Sequence, residues 1–216
     1  MQRTLSPERL DSLPPDSPEA LRSRQDLVRI NQIMGNTAWF VRTAPPLARP
    51  GECALEIGAG DGRLSLQLHA AGLPTAALDQ FPAPGDWPAS APWHTFDLRS
   101  APVWSEYPIV LGNLILHHLT MKELNALGKQ LTTRANIRVL LFNEPLRSLP
   151  TRFLWTLAAP LGGASAVTRH DGRVSIEAGF CGDELPRALR LDPATWQWRI
   201  TTTLLGAYRM VAIRRP

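Results

Sequence analysis

Short apolar runs recur through the middle of the chain, each ending near polar residues. "ECALEIG" (52–58), "PTAALD" (74–79), "WHTFDL" (93–98), "YPIVLGN" (107–113) and "IRVLLFN" (137–143) have the length and make-up of buried strands. Segments able to form helices fall between them, notably 62–71 and 120–134. Strands alternating with helices predict a doubly wound α/β fold, a mostly parallel sheet covered on both faces. One segment conflicts locally, because "RLSLQL" (63–68) alternates with period two. The glycine turn before it and "AAG" after it frame a short helix instead.

The flanks differ in texture. Residues 1–20 are polar and proline-rich and read as irregular, with Ser6-Pro7 and Ser17-Pro18 each able to start a short helix. A helix is expected from Ser17 as cap and Pro18 as first residue, carrying Leu21, Leu27, Val28 and Met34 and stopping near Gly35. "TAWFVRTAPPLARPG" (37–51) adds a helical turn or two, broken at Pro45 and Pro46. At the far end, "WQWRITTTLL" (196–205) and "AYRMVAIRR" (207–215) are parted only by Gly206. They predict a closing hairpin, hence an antiparallel edge to a seven-stranded sheet. Residues 145–180, before the helical "GDELPRAL" (182–189), are long for a simple connection and suggest a helical lid or pocket wall.

Composition narrows the partners. A chain of 216 residues, 44% hydrophobic and 19% charged, makes one ordinary domain with a sizeable core. The formal charge is +4, but the arginines are spread and Lys122 and Lys129 are the only lysines, which argues against a dedicated nucleic-acid surface. Cys53 and Cys181 stand apart, without a CxxC or clustered histidines, so neither a disulfide framework nor a zinc site is expected. The N-terminus has no apolar signal core, and the longest apolar stretch, 153–167, is broken by Pro160, Gly162 and Gly163. A cytoplasmic protein without stable membrane insertion is expected, its oligomeric state open.

The informative stretch is "CALEIGAGDGRLSLQL" (53–68), where three glycines and two acids crowd the end of a strand. In open parallel sheets ligands bind at such strand ends. A dinucleotide fingerprint would put its third glycine at 63, which is Arg63, and no lysine follows to make a P-loop. A carboxylate a few ångströms from a phosphate opposes binding by about 1 kcal/mol or more even when screened. Glu56 and Asp61 therefore favour a ligand carrying positive charge.

"LEIGAGDG" resembles motif I of class I S-adenosylmethionine-dependent methyltransferases, which implies a Rossmann-like fold and that cofactor. The resemblance places Glu56, Gly58, Ala59, Gly60, Asp61 and Gly62 at the cofactor. It makes Asp79, with Gln80 beside it, similar to the family's ribose-binding acid. It sets Asp97 and Leu98 near adenine, and Asn113 and Leu114 near the reacting methyl. The wider pattern, "DLVRINQIMGN", "NLILHHL", "NEPLRS" and "RHDGRVSIEAGF", is similar to small bacterial methyltransferases associated with type III polyketide synthases. That likeness spans about residues 20–185 and implies a small, apolar, phenolic or quinone-like acceptor, methylated at oxygen or carbon. It implies too that residues 1–50 close over the cofactor, that 51–216 form the methyltransferase domain, and that 145–180 serve as a substrate lid. Arg29 and Asn31 could reach the cofactor's methionine end. Phe153, Leu154, Trp155 and Leu157 suit either a greasy ring pocket or a helix packed on the core.

A phenol needs a base, and His117, His118 and His170 compete for that role. Side chains adjacent along an extended stretch point apart, so Asp171 need not orient His170. No N/D-P-P-Y/F tetrad follows the fourth strand, which disfavours methylation of adenine bases. No acid stands between Val110 and Thr120, which implies a metal-free reaction. Rival readings are a protein or RNA methyltransferase, and a non-catalytic cofactor-binding protein on the same fold.

Overall fold

The structure, a computed structural model, describes residues 1–99 and 106–216. Seven strands form one sheet: β1 (Ala54–Ile57), β2 (Thr75–Asp79), β3 (Trp93–Thr95), β4 (Ile109–Asn113), β5 (Val139–Pro145), β6 (Trp196–Thr202) and β7 (Ala207–Arg214). Their order is β3-β2-β1-β4-β5-β7-β6. The first five strands are parallel, and β7 runs antiparallel to both β5 and β6. This is the doubly wound, mostly parallel sheet with an antiparallel C-terminal hairpin that the sequence predicts.

Every residue of β1 and β5 is buried, which is why these runs are apolar without alternating. The pleat nonetheless sorts their side chains between two layers. Leu55, Ile57, Val110 and Leu140 join the core with α4 (Met121–Thr133) and α7 (Glu184–Ala188). Ala54, Ile109, Leu111 and Val139 join the opposite core with α2 (Asn36–Thr43) and α3 (Arg63–Ala70). "RLSLQL" is helical, as framed, and buries Leu64, Ser65 and Leu68 on one side of α3. The cap of α1 (Pro18–Ile33) is the expected one, Ser17 accepting from the Ala20 N–H. A reciprocal capping box between Thr120 and Glu123 starts α4. Among the described residues, no helix is long and apolar enough to cross a membrane.

Three expectations need correction. The third strand stops at Thr95, and residues 96–98 leave the ladder. The C-terminal hairpin turns over residues 203–206 rather than at Gly206 alone, since β6 ends at Thr202. Third, the insertion is a pair of helices, α5 (Leu149–Leu161) and α6 (Ala166–Ala178), whose ends meet at the sheet where Arg147 donates to Phe180 and Phe180 to Pro145. Val174 and Ala178 of α6 line the cleft and Phe180 enters the core, whereas the large apolar residues of α5 stay outside both. Phe153 is 67% exposed and Leu161 89%, because Leu149, Phe153, Leu157 and Leu161 recur every four residues along the outer stripe of α5. Trp155 alone turns inward, its indole against Gly172 of α6.

The α4–α7 contact admits no side chain at Gly128. A Cβ there would lie 2.1 Å from the Leu189 carbonyl oxygen and 2.6 Å from its Cα. Backbone cannot yield as a side chain can, so Gly128→Ala is expected to destabilise the fold by about 1–3 kcal/mol in denaturant unfolding. Gly85→Ala, where the added methyl meets nothing within 4 Å, should stay within about 0.5 kcal/mol of the parent.

Candidate active site

Strand order reverses between β1 and β4, and the crevice at their carboxyl ends is the place where such sheets hold ligands. Two connections meet there. The turn 58–62 leaves β1, and a 3-10 turn at Leu116–His118 follows β4. The first turn needs its glycines. Gly58 sits at φ 66° with a virtual Cβ 2.4 Å from Ile115, and Gly62 at φ 72° with Trp87 packed on it. Gly60 by contrast faces open space.

The acids divide into different environments. Asp79 accepts from the Gly60 N–H at 2.8 Å and the Phe81 N–H at 3.1 Å, which ties the glycine turn to the end of β2. Asp97 accepts from the Arg99 N–H and pairs with its guanidinium. Asp61 is exposed and pairs with Arg63 at 2.8 Å. Glu56 departs from the expectation of an anionic rim. It is buried, accepts from the Ser65 hydroxyl at 2.6 Å, and burial pushes its pKa up to about 8 against that bond. Gly58, Ala59, Gly60, Asp61, Asp79, Gln80, Asp97, Leu98 and Asn113 line one cleft with Glu56. Gly62 lies under Trp87. Leu114 adopts φ 57° and donates its N–H to Asn143, and neither it nor Gly62 is among the lining residues. Asn31 reaches the cleft through an asparagine chain: Asn36 donates to Asn31 at 2.8 Å, Asn113 to Asn31 at 3.4 Å, and Asn143 to Asn113 at 2.8 Å. Arg29 points to solvent.

The far wall is built on Glu144, a fully buried carboxylate at the end of β5. It accepts the N–H groups of Ile115, Leu116 and His117 and bonds His117 Nδ1 at 2.8 Å. On the other side of that ring, Nε2 lies 3.7 Å from Glu8 Oε1. Glu8 arrives on an N-terminal strap. Arg3 fastens the strap by donating to the carbonyls of Ala178, His117 and Leu119, and Asp171 accepts the N–H groups of Arg9 and Leu10. The His118 ring lies 4.2 Å from that of His117 and lines the cleft. Burial alone would lower the His117 pKa, but Glu144 and Glu8 override it and raise it to about 9. His118 moves down, through desolvation and then the neighbouring His117 charge.

His170 requires correction. Its segment is helix α6, not an extended stretch, and its Nδ1 bonds Asp171 Oδ1 at 3.0 Å. It is not among the residues lining the cleft. Sequence reasoning missed Glu8 and Glu144. Glu144 was reachable, since it ends a strand as Asp79 and Asn113 do. Glu8 carried no local signal: no acid stands between Val110 and Thr120, and this one reaches His117 from the far N-terminus.

No family model matches the sequence, and no curated protein matches it. Solved structures do. The plantazolicin methyltransferase BpumL, in complex with SAH, superposes at TM-score 0.69 with 10% identity, over 93% of this chain and 92% of that one. The methyltransferase domain of bacterial CtHen1-C gives 0.62 with 14% identity, over 85% and 98%. Magnesium protoporphyrin IX methyltransferase ChlM from Synechocystis PCC 6803, with bound SAH, gives 0.53 with 19% identity, over 96% and 92%. The fold is that of these methyltransferases.

The state of Glu56 sets a pH dependence. A carboxyl whose folded pKa stands near 8, above the ordinary 4.5, holds its proton more tightly when folded. Its effect on stability is therefore most favourable at low pH and is lost as pH climbs between those values. The ligand-free unfolding midpoint of the parent should fall, relative to Glu56→Gln, between about pH 5 and pH 9. Parallel profiles for the two proteins would contradict this assignment.

Proposed function

We propose that the protein transfers a methyl group from S-adenosylmethionine to a small aromatic, polyketide-like or quinone-like acceptor, at oxygen or at an activated ring carbon. The observation that carries this reading is the two-sided cleft at the switch point. One wall is the glycine turn with Asp79 and Asp97, and the other is the histidine pair with Glu8. Its volume, about 1220 Å³, exceeds the roughly 300–1,000 Å³ of a pocket for one drug-sized ligand, which leaves room for donor and acceptor together.

The residues present fit the donor. Gly60 offers open backbone, and each carboxylate has about four lone-pair positions, so Asp79 can accept ribose hydroxyls while keeping its two N–H bonds. Asp97 and Leu98 would lie beside the adenine, and Asn113, held by Asn143 and Asn31, beside the methyl. The donor supplies an electrophilic methyl on a sulfonium. A positive charge brought near Glu56 favours its ionised form, which adds attraction where the empty site has little. The protein aligns acceptor and methyl, excludes water, and meets the acceptor's proton at the His117–His118 end.

Support for a compact acceptor comes from the neighbours: BpumL was solved with desmethylplantazolicin analogues, and ChlM is a magnesium protoporphyrin IX methyltransferase. The arginine-rich but dispersed charge favours this over a nucleic-acid acceptor.

Calorimetry should show micromolar or tighter binding of S-adenosylmethionine and of its demethylated product, with none for NAD. Asp79→Ala should weaken both by about tenfold or more through the lost charge-assisted bonds. Tight binding of a phosphorylated dinucleotide instead would overturn the reading.

A further inference from the structure

The acceptor end of the cleft holds a donor set assembled from two distant parts of the chain. Glu8 of the strap, with His117 and His118 after β4, offers ligand atoms that all lie within 4.8 Å of one another. Nitrogen and oxygen ligands bound at about 2.0–2.2 Å to one divalent ion sit roughly 3–3.5 Å apart. The 3.7 Å between His117 Nε2 and Glu8 Oε1 is already close to that spacing.

The surroundings of His117 set it apart from a chance meeting of polar groups. Glu144 fixes the ring from behind, and three backbone N–H groups fix Glu144. Nδ1 is taken up by that carboxylate, so Nε2 is the nitrogen that faces Glu8, and a metal ion bound there would displace its proton. A buried carboxylate behind an imidazole whose other nitrogen points at further donors is the usual support of a metal-bound histidine. Glu8 is itself held by the Ser175 hydroxyl at 2.5 Å, and Asp11 lines the same cleft as a further carboxylate.

We propose that Glu8, His117 and His118 form a site for one divalent transition-metal ion, open towards the cleft. Two imidazoles and one carboxylate suit zinc, cobalt or manganese better than magnesium or calcium, which prefer all-oxygen sets. Three protein ligands leave coordination positions for water or for an oxygen of the acceptor, which would select acceptors bearing a hydroxyl or two adjacent oxygens. Because Glu8 lies on the strap, the ion also couples closure of the cleft to its own binding. The site goes beyond the methyl-transfer reading and stands or falls separately from it.

The test uses the full chain, stripped with chelator and titrated with Zn²⁺ by calorimetry and with Co²⁺ by visible absorption. One equivalent should bind with a dissociation constant of about 10 µM or tighter, and Zn²⁺ should raise the unfolding temperature. Glu8→Gln and His118→Ala should each weaken binding at least tenfold and abolish the thermal shift, while His170→Ala, outside the cleft, should leave both unchanged. Circular dichroism establishes that each variant is folded. Absence of binding at about 100 µM Zn²⁺ and Co²⁺ would overturn the proposal, as would equal binding by a folded Glu8→Gln/His118→Ala double variant. Affinity for S-adenosylmethionine without any metal binding would refute the site alone and leave the histidines as bases in the methyl-transfer reading. Metal binding without affinity for S-adenosylmethionine would uphold the site and retire the cofactor reading instead.

Discussion

A single buried carboxylate, Glu144, organises one half of the cleft. A charge or polar group withdrawn from water must be compensated by bonds, and Glu144 finds four, all on the residues that follow β4. Those bonds curl Leu116–His118 into a 3-10 turn and set the plane of the His117 ring. The turned ring presents Nε2 to the strap, where Glu8 meets it and Arg3 clamps the neighbouring carbonyls. Glu144 thus fixes the turn and the ring, while Arg3 and Asp171 fix the strap that meets them.

The opposite half is organised by backbone rather than by a charged side chain. Gly58 and Gly62 take left-handed conformations with neighbours pressed where a Cβ would be, and Asp79 holds the turn by one N–H. Charge there is quieter than the count of acids suggests, for Asp61 is neutralised by Arg63 and Glu56 favours its protonated form. The ligand-free pocket is thus poised, with a carboxyl able to ionise when positive charge comes near it.

An asparagine chain ties the centre of the sheet to the N-terminal helices. Asn143 on β5 bonds Asn113 on β4, which bonds Asn31 on α1, which accepts from Asn36 on α2. Each amide offers donor and acceptor together, so a run of them can connect a sheet centre to an N-terminal helix without burying net charge. Of the long insertion, α6 meets the cleft and the strap through Val174, Ala178, Asp171 and Ser175, whereas α5, apart from Trp155, turns its large apolar side chains outward.

Local sequence determined what depends on neighbours within a few residues. The strands were legible because a parallel sheet covered on both faces demands unbroken apolar runs, and the α1 cap because Ser17-Pro18 satisfies the first turn of a helix. The glycine turn was legible because only glycine tolerates φ near 66° with Ile115 so close. Tertiary structure alone decided the rest. That Glu8 reaches His117, that His170 leaves the cleft, and that Glu56 favours its proton all depend on burial and on contacts between segments far apart in the chain. Phe153, Leu154, Trp155 and Leu157 were visibly apolar in the sequence, but which side of a helix meets the sheet is settled by the packing of the whole molecule.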